Sequence, residues 1–286
     1  MPNLLTLIHY LLPHHLLSRC VGLLAEGSLL KNFLIRNFIR RYKVDMNEAV
    51  ISDPLEYPNF NSFFTRELRA CARPIASDEG AIVSPADGTI SALGLINDEK
   101  ILQAKGRDYS VTDLLGGDQN LADEFRNGTF ATVYLSPRDY HRVHMPLSGQ
   151  LQKLVYVPGR LFSVNQAAAK AVPNLFARNE RAICVFNTEV GPMCVVLVGA
   201  MIVAGIETVW GGQVCPNIGS RTIRQTKYLE KEPPIQLATG VELGRFKLGS
   251  TAIVLFPPEA IELDQNLRAD SAVKMGQRIA NRVRHS

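Results

Sequence analysis

The chain is predicted to be an α+β protein: a mostly-β sandwich or partly closed barrel core, with amphipathic helices at its N-terminus. Three observations predict this. From residue 80 onward, short apolar runs are separated by Gly, Pro, Asn and Asp, the rhythm of strands and turns. Before residue 44, apolar residues recur instead at spacings of three, four and seven, which makes a helical face. Positive charge gathers at that same end: residues 1–43 hold six Lys or Arg and one acid, whereas the whole chain carries only +4. A basic, apolar end on a near-neutral body fits an anionic membrane surface and argues against nucleic acid as a partner.

Leu4, Leu5, Leu7, Ile8, Leu11 and Leu12 form the first helical face, ended or kinked at Pro13. A second helical stretch, about residues 29–43, sets Leu30, Phe33, Leu34, Phe38 and Tyr42 on one side and Arg36, Arg40 and Lys43 on another. Residues 1–43 are therefore read as membrane-associating helices lying in the headgroup region. Residues 44–79 read as a linker that docks on the main domain, with Asn59 or Asn61 capping a short helix. Residues 80–286 form the β-rich domain.

Expected strands include Thr89–Leu93, Phe130–Leu135, Leu154–Val157, Ala182–Phe186, Val195–Val198 and Ile206–Trp210. Asn127-Gly128 is expected as a hairpin turn. Short helices are expected around Tyr109–Leu115 and Ser163–Ala171, and a polar, basic, fraying tail at 271–286. The longest apolar run, Gly191 to Ile206, contains Pro192, Gly199 and Gly205 and is too short to span a bilayer, so it reads as buried strand. Five widely spaced cysteines without a C-x-x-C point to free thiols in a reducing compartment.

The chemistry centres on Leu248-Gly249-Ser250-Thr251. A charged approach, 242–247, precedes it. An apolar run, Ala252-Ile253-Val254-Leu255-Phe256, follows and is closed by Pro257-Pro258. A Gly-Ser bond at the mouth of a rigid strand leaves the Gly249 carbonyl open to the neighbouring Ser250 hydroxyl. By itself such a tetrapeptide is usually a turn. Two other polar clusters change the balance. Pro85-Ala86-Asp87-Gly88 is a turn before a strand. Ser136 to Pro146 carries Asp139, His141 and His144. Positions three apart in an extended chain face opposite ways, so the two histidines are not expected to share a metal. Asp87, His144 and Ser250 supply an acid, a base and a nucleophile. No G-x-S-x-G, H-E-x-x-H, P-loop or G-x-G-x-x-G is present.

These motifs, Leu248-Gly249-Ser250-Thr251 with Tyr140-His141-Arg142-Val143-His144-Met145-Pro146 and Pro85-Ala86-Asp87-Gly88, closely resemble those of the bacterial and mitochondrial type of phosphatidylserine decarboxylase. Phe125–Phe130, Val172–Arg181 and Gly244–Lys247 are similar to that family as well, so the likeness covers roughly residues 40–265. The resemblance implies a self-processing lyase. His144, held by Asp87 in a charge relay, activates Ser250. The chain is then cut between Gly249 and Ser250 into a β chain, 1–249, and an α chain, 250–286, that stay together as a heterodimer. Ser250 becomes a covalent pyruvoyl cofactor, which takes the substrate amine as a Schiff base and acts as the electron sink for loss of carbon dioxide. His141 is implied in the decarboxylation half, as proton donor or carboxylate orienter. The implied substrate is phosphatidylserine, the product phosphatidylethanolamine, and the location the cytoplasmic face of the cell membrane. Three alternatives stay open: a pyruvoyl enzyme acting on a soluble amino acid, a serine hydrolase using Asp87, His144 and Ser250, and a non-catalytic membrane-docked binding module.

Overall fold

The computed structural model describes residues 14–104, 106–200, 205–215, 222–247 and 250–283. The apolar face from Leu4 to Leu12, the pair Leu248-Gly249 and residues 284–286 lie outside them.

The strand Ser250–Phe256 is the central element, because every one of its residues is buried and it is paired on both sides. It belongs to an antiparallel nine-stranded sheet. From edge to edge the order is Arg224–Lys227, Gly149–Val157, Arg181–Thr188, Gly191–Val198, Ser250–Phe256, Thr129–Leu135, Gly88–Leu95 and Ala272–Val273, with Gln236–Leu237 also paired to Gly149–Val157. Successive side chains leave a strand on opposite faces. Ala252, Val254 and Phe256 therefore join one core cluster, and Ile253 and Leu255 another.

The first face packs against two smaller antiparallel sheets. One has the order Gly212–Cys215, Gly205–Thr208, Glu242–Lys247, Arg142–His144, and the other the order Ala81–Val83, Arg278–Arg282, Ile261–Leu263. Phe246, Leu243, Ile206, Val143 and Ile279 come from those sheets to meet it. The second face is covered by the hairpin Lys100–Ala104/Arg107–Ser110 and the helices Val111–Leu114, Gln119–Asp123, Gln166–Ala171 and Leu175–Arg178. Cover on both faces explains why the central strands read as unbroken apolar runs and not as an alternation. The sheets do not close into a barrel, so of the two expected forms the sandwich-like one is observed.

The N-terminal part forms its own small core. Helix Lys31–Tyr42 packs Ile35, Phe38 and Ile39 on helix Phe60–Phe64, where Phe38 meets Phe60, Phe63 and Phe64 at 5.2, 6.0 and 5.7 Å between ring centroids. Asn59 caps the short helix, its side chain accepting from Ser62 N–H at 2.8 Å. The expected apolar side of the longer helix is divided. Ile35 is its fully buried residue, whereas Phe33 is 69% exposed. Phe33, Arg36 and Arg40, at spacings of three and four, share the outward face. With Leu23, Leu24, Leu29 and Leu30, also exposed, Phe33 forms an apolar surface interleaved with cations. No described helix is long and apolar enough to cross a membrane.

Two local expectations are corrected, and one stretch without an assigned element is placed. Asn127-Gly128 is not a hairpin turn. It links helix Gln119–Asp123 to strand Thr129–Leu135, and a Cβ on Gly128 would stand 2.1 Å from the Phe256 carbonyl oxygen. The approach 242–247 is itself a strand, with Leu243, Gly244 and Phe246 buried. The segment from 271 does not fray: Arg278–Arg282 is the middle strand of a three-stranded sheet and buries Ile279 and Ala280. Its basic composition hid two apolar contacts that suffice to seat a short strand.

Candidate active site

Glu242–Lys247 belongs to the four-stranded sheet and Ser250–Phe256 to the nine-stranded one. Between Lys247 and Ser250 the chain thus passes from one sheet to the other. Ser250 opens its strand opposite Leu135, the last residue of Thr129–Leu135. The chain leaves Leu135 through the turn 136–141 and returns as Arg142–His144, which pairs with Glu242–Lys247. Phe246 N–H donates to the His141 carbonyl at 3.0 Å. On the other side of Thr129–Leu135, Gly88 opens strand Gly88–Leu95 so close to the Tyr134 carbonyl that a Cβ would lie 2.2 Å away. His144 N–H donates to the Pro85 carbonyl at 2.8 Å. The Asp87 turn, both histidines and Ser250 therefore converge on one end of the central sheet, as the sequence led us to expect.

The side chains do not form the expected relay. Among the described residues no hydrogen bond joins Asp87 to His144 or His144 to Ser250. Asp87 is held elsewhere. Arg73 grips its carboxylate through Nε (2.8 Å to Oδ1) and Nη2 (2.5 Å to Oδ2), and Met275 N–H donates to Oδ1 at 2.9 Å. Arg73 Nη2 also reaches Glu48 at 2.8 Å. The bidentate fork is the strong form of a charge-assisted hydrogen bond, so it outcompetes a neutral imidazole for the carboxylate.

The Gly240 carbonyl does for His144 what Asp87 was expected to do. It lies 2.8 Å from Nδ1, so that nitrogen carries the hydrogen and Nε2 keeps the lone pair. The Tyr140 hydroxyl stands 3.1 Å from Nε2. Burial lowers the pKa of His144, which keeps it a neutral base at pH 7.

His141 is wholly buried and stacks on Phe64, with ring centroids 4.1 Å apart and planes at 27°. Its Nε2 is 3.0 Å from the Ser136 carbonyl, so Nε2–H donates there. Nδ1 is left with a lone pair and no partner. Burial first, and the Arg66 charge second, push its pKa down to about 3. Neutral His141 thus presents an acceptor, which neither donates a proton nor attracts a carboxylate until it has been protonated. Asp139 is a turn residue, its Oδ2 accepting from Ser136 N–H and Oγ–H at 2.7 Å each.

Among the described residues, Ser250 Oγ and Thr251 Oγ1 are buried with no partner. Unpaired buried polar atoms are rare in folded proteins because each forfeits its hydration. Ser250 Oγ, His141 Nδ1 and two nitrogens of Arg66 are all in this condition around one turn. A covalent group derived from Ser250 suits such a place, since its oxygens would need donors and its position is already enclosed.

Sequence reasoning missed Phe64, Arg66 and Arg73, all on the segment read as a linker. A run of Phe-Phe-Thr-Arg followed by Arg-Pro is heavy in aromatic and guanidinium groups for a spacer, and that was the available signal.

The family model described as phosphatidylserine decarboxylase matches residues 60–281, and a second, described as PSD, matches residues 4–43. The chain is 58% identical over 282 residues to a phosphatidylserine decarboxylase proenzyme of Ectopseudomonas mendocina (strain ymp), covering 98% of each chain. It is 59% identical over 274 residues to the proenzyme of Pseudomonas aeruginosa (strain LESB58), covering 95% of this chain and 94% of that one. A proenzyme of Pseudomonas putida (strain ATCC 700007 / DSM 6899 / JCM 31910 / BCRC 17059 / LMG 24140 / F1) is 56% identical over 281 residues, covering 97% of each.

Proposed function

This chain belongs to the phosphatidylserine decarboxylase family, and from that premise we propose that it decarboxylates phosphatidylserine with a pyruvoyl group made from its own Ser250. The observation that supports this best is the buried, unpartnered Ser250 hydroxyl at the point where the chain crosses between sheets. The strands on either side fix Lys247 and Ser250, the described residues between which the chain crosses.

Maturation begins when the Ser250 hydroxyl proton passes to Nε2 of His144, the Tyr140 hydroxyl that now meets that lone pair giving way. Gly240 fixes the tautomer this requires, and burial keeps the ring neutral until then. Asp87 acts on the imidazolium across space, as a negative charge that favours protonated His144. Ser250 Oγ adds to the Gly249 carbonyl. The peptide bond breaks and an ester replaces it, freeing the amine of residue 250. Loss of the Cα proton expels the ester oxygen, so Gly249 ends as a carboxylate and residue 250 as dehydroalanine. Water then replaces its nitrogen, which leaves as ammonia. The products are chains 1–249 and 250–286, the second held by the pairing of Ser250–Phe256 with both neighbours.

The pyruvoyl ketone supplies an electrophile for the substrate amine and an electron sink for the leaving carboxylate. His141 manages the proton. Its bare Nδ1 accepts a hydrogen bond from the substrate ammonium and so orients it, and the proton that the amine sheds leaves to solvent. A proton taken up at Nδ1 while the substrate's carboxylate is bound beside it is the one delivered to the carbon that has released carbon dioxide. Residues 1–43 serve as the membrane-associating part, 44–79 as the docking segment and 80–286 as the catalytic part. The exposed Leu23, Leu24, Leu29, Leu30 and Phe33, with Arg36 and Arg40, rest on anionic headgroups at the cytoplasmic face, so that the enzyme is peripheral.

Intact mass under denaturing conditions tests the reading. The wild type should give two fragments divided between residues 249 and 250, the smaller without a free amino end. Ser250→Ala should stay a single chain of 31.6 kDa. A wild type that remains uncut after prolonged incubation with phospholipid vesicles would overturn the proposal.

A further inference from the structure

The buried cation of this site with the fewest partners is Arg66. It is 5% exposed, and its Nε and Nη1 have no hydrogen-bond partner. Nη2 makes one long contact, 3.4 Å to the Arg138 carbonyl, and the guanidinium lies 5.8 Å above the Phe63 ring. The neighbouring Arg142 is, by contrast, fully engaged: Nε donates to the Thr65 carbonyl at 3.0 Å, and Nη1 pairs with Glu242 at 2.9 Å and Glu67 at 3.6 Å. Asp87 and Glu48 act on Arg66 only across space; a buried charge without a direct ion-pair partner is unfavourable, so a folded chain retains one where an anion arrives to complete it.

A cavity of about 180 Å³ leads to this guanidinium. Val50, Ile51, Tyr57 and Pro58 give it an apolar wall, while Arg66 and Arg142 give it charge; Glu67, already paired to Arg142, is its acid. Val50 and Ile51 are partly exposed at the mouth. On the inner side, Arg66 Nη2 touches the Arg138 carbonyl, which belongs to the turn that carries His141 and leads back to Leu135, opposite Ser250. An anion seated on Arg66 would therefore lie beside that turn.

Phosphatidylserine offers two anions. The carboxylate must give up its charge in the reaction, so a cation paired to it would stabilise the ground state and slow the step. The phosphodiester is unchanged from substrate to product, and pairing it costs the chemistry nothing. We infer that Arg66 binds the phosphodiester oxyanion of the substrate and is thereby the residue that selects a phospholipid over free serine. This rests on the decarboxylase reading above.

The test uses the full-length, self-processed protein and dihexanoyl phosphatidylserine below its micellar concentration, so that attachment to a bilayer plays no part. Carbon dioxide release by the wild type checks the decarboxylase reading independently. Arg66→Met, which keeps the apolar stem, should raise KM about tenfold or more, through loss of an interaction common to ground and transition states, while kcat changes only by the smaller factor that follows from lifting the Arg66 charge off His141. Inhibition by dihexanoyl phosphatidylethanolamine should weaken by the same factor as KM rises. Turnover of O-methylserine, which lacks the phosphate, should change by the kcat factor alone. Arg66→Lys should lie between them, and it carries the same test if the Met variant fails to fold or to process. A fall in kcat with unchanged phosphatidylethanolamine inhibition would assign Arg66 to the carboxylate and overturn the inference. Equal losses on phosphatidylserine and O-methylserine would make its role structural and overturn it as well. Wild-type KM and inhibition that respond to added dihexanoyl phosphatidylglycerol, with Arg66→Met matching wild type on the substrate, would place a different lipid there and overturn it too.

Discussion

The interior of the central sheet and its end at Ser250 are a few residues apart and are built on opposite terms. Along Ser250–Phe256 seven consecutive residues have register partners in Thr129–Leu135, and the side chains beyond Thr251 are apolar and packed on both faces. Around the 136–141 turn, by contrast, Ser250 Oγ, His141 Nδ1 and two Arg66 nitrogens are buried without partners. Burial in the first region stabilises the fold. Burial in the second costs stability and leaves reactive atoms dry, which is where an enzyme accepts local strain in exchange for chemistry.

The sharpest test of this contrast is Arg73→Met. It removes the counter-charge of Asp87 at the polar end of the sheet and one of the two cations beside Glu48, which keeps Lys274. An uncompensated buried carboxylate should lower the unfolding free energy by about 3–5 kcal/mol in urea titration. Leu255→Ala probes the apolar interior. Leu255 is wholly buried, and its loss should cost about 3 kcal/mol through transfer and cavity terms. If Leu255→Ala cost under 1 kcal/mol, the interior would not be the stabilising region.

Acid should act on the reactive end. The unfolded chain binds a proton at His141 with an ordinary pKa of 6.5, whereas the folded chain does so only near 3. A depressed histidine costs nothing above pH 6.5. As pH falls below that value the unfolded state gains protons that the folded state refuses, so stability drops until the folded group itself titrates near pH 3. Between pH 6.5 and 4.5 the loss from His141 should be about 2–3 kcal/mol. His141→Phe should flatten that part of the stability–pH curve, measured by urea titration at a series of pH values. The smallest expected change is that of Ser250→Ala. Made in the uncut His144→Ala chain, so that both proteins are single chains, removing an unpartnered hydroxyl should leave stability the same or raise it by a few tenths of a kcal/mol. A clear loss of stability there would mean that the hydroxyl is paired after all.

Much of this was legible in the sequence because it follows from local pattern. Runs such as Val195–Val198 and Ala252–Phe256 are strands on composition alone, and Asn59 sits where a cap belongs. Arg278–Arg282 was not legible, because two buried residues among polar ones carry no periodic signal. Nor was the burial of Ile35 in place of Phe33, since a helix with apolar residues on both sides gives no clue to which side meets a partner. Arg66 and Arg73 were read past as spacer. Their roles depend on Asp87 and Arg138, groups 14 and 72 residues away.

The sequence by itself determined the reactive vocabulary: a Gly-Ser bond leading into a buried strand, two histidines in one turn, an aspartate before another strand, and a basic amphipathic end. Those are properties of neighbouring residues, and local sterics and hydrophobicity suffice to read them. Only the tertiary structure decided who touches whom. It gave Asp87 to Arg73 in place of His144, gave His144 the Gly240 carbonyl, and left Arg66 with two bare nitrogens. Such pairings are settled by competition among donors and acceptors brought together from distant parts of the chain, and a bidentate guanidinium wins that competition on strength that no local pattern encodes.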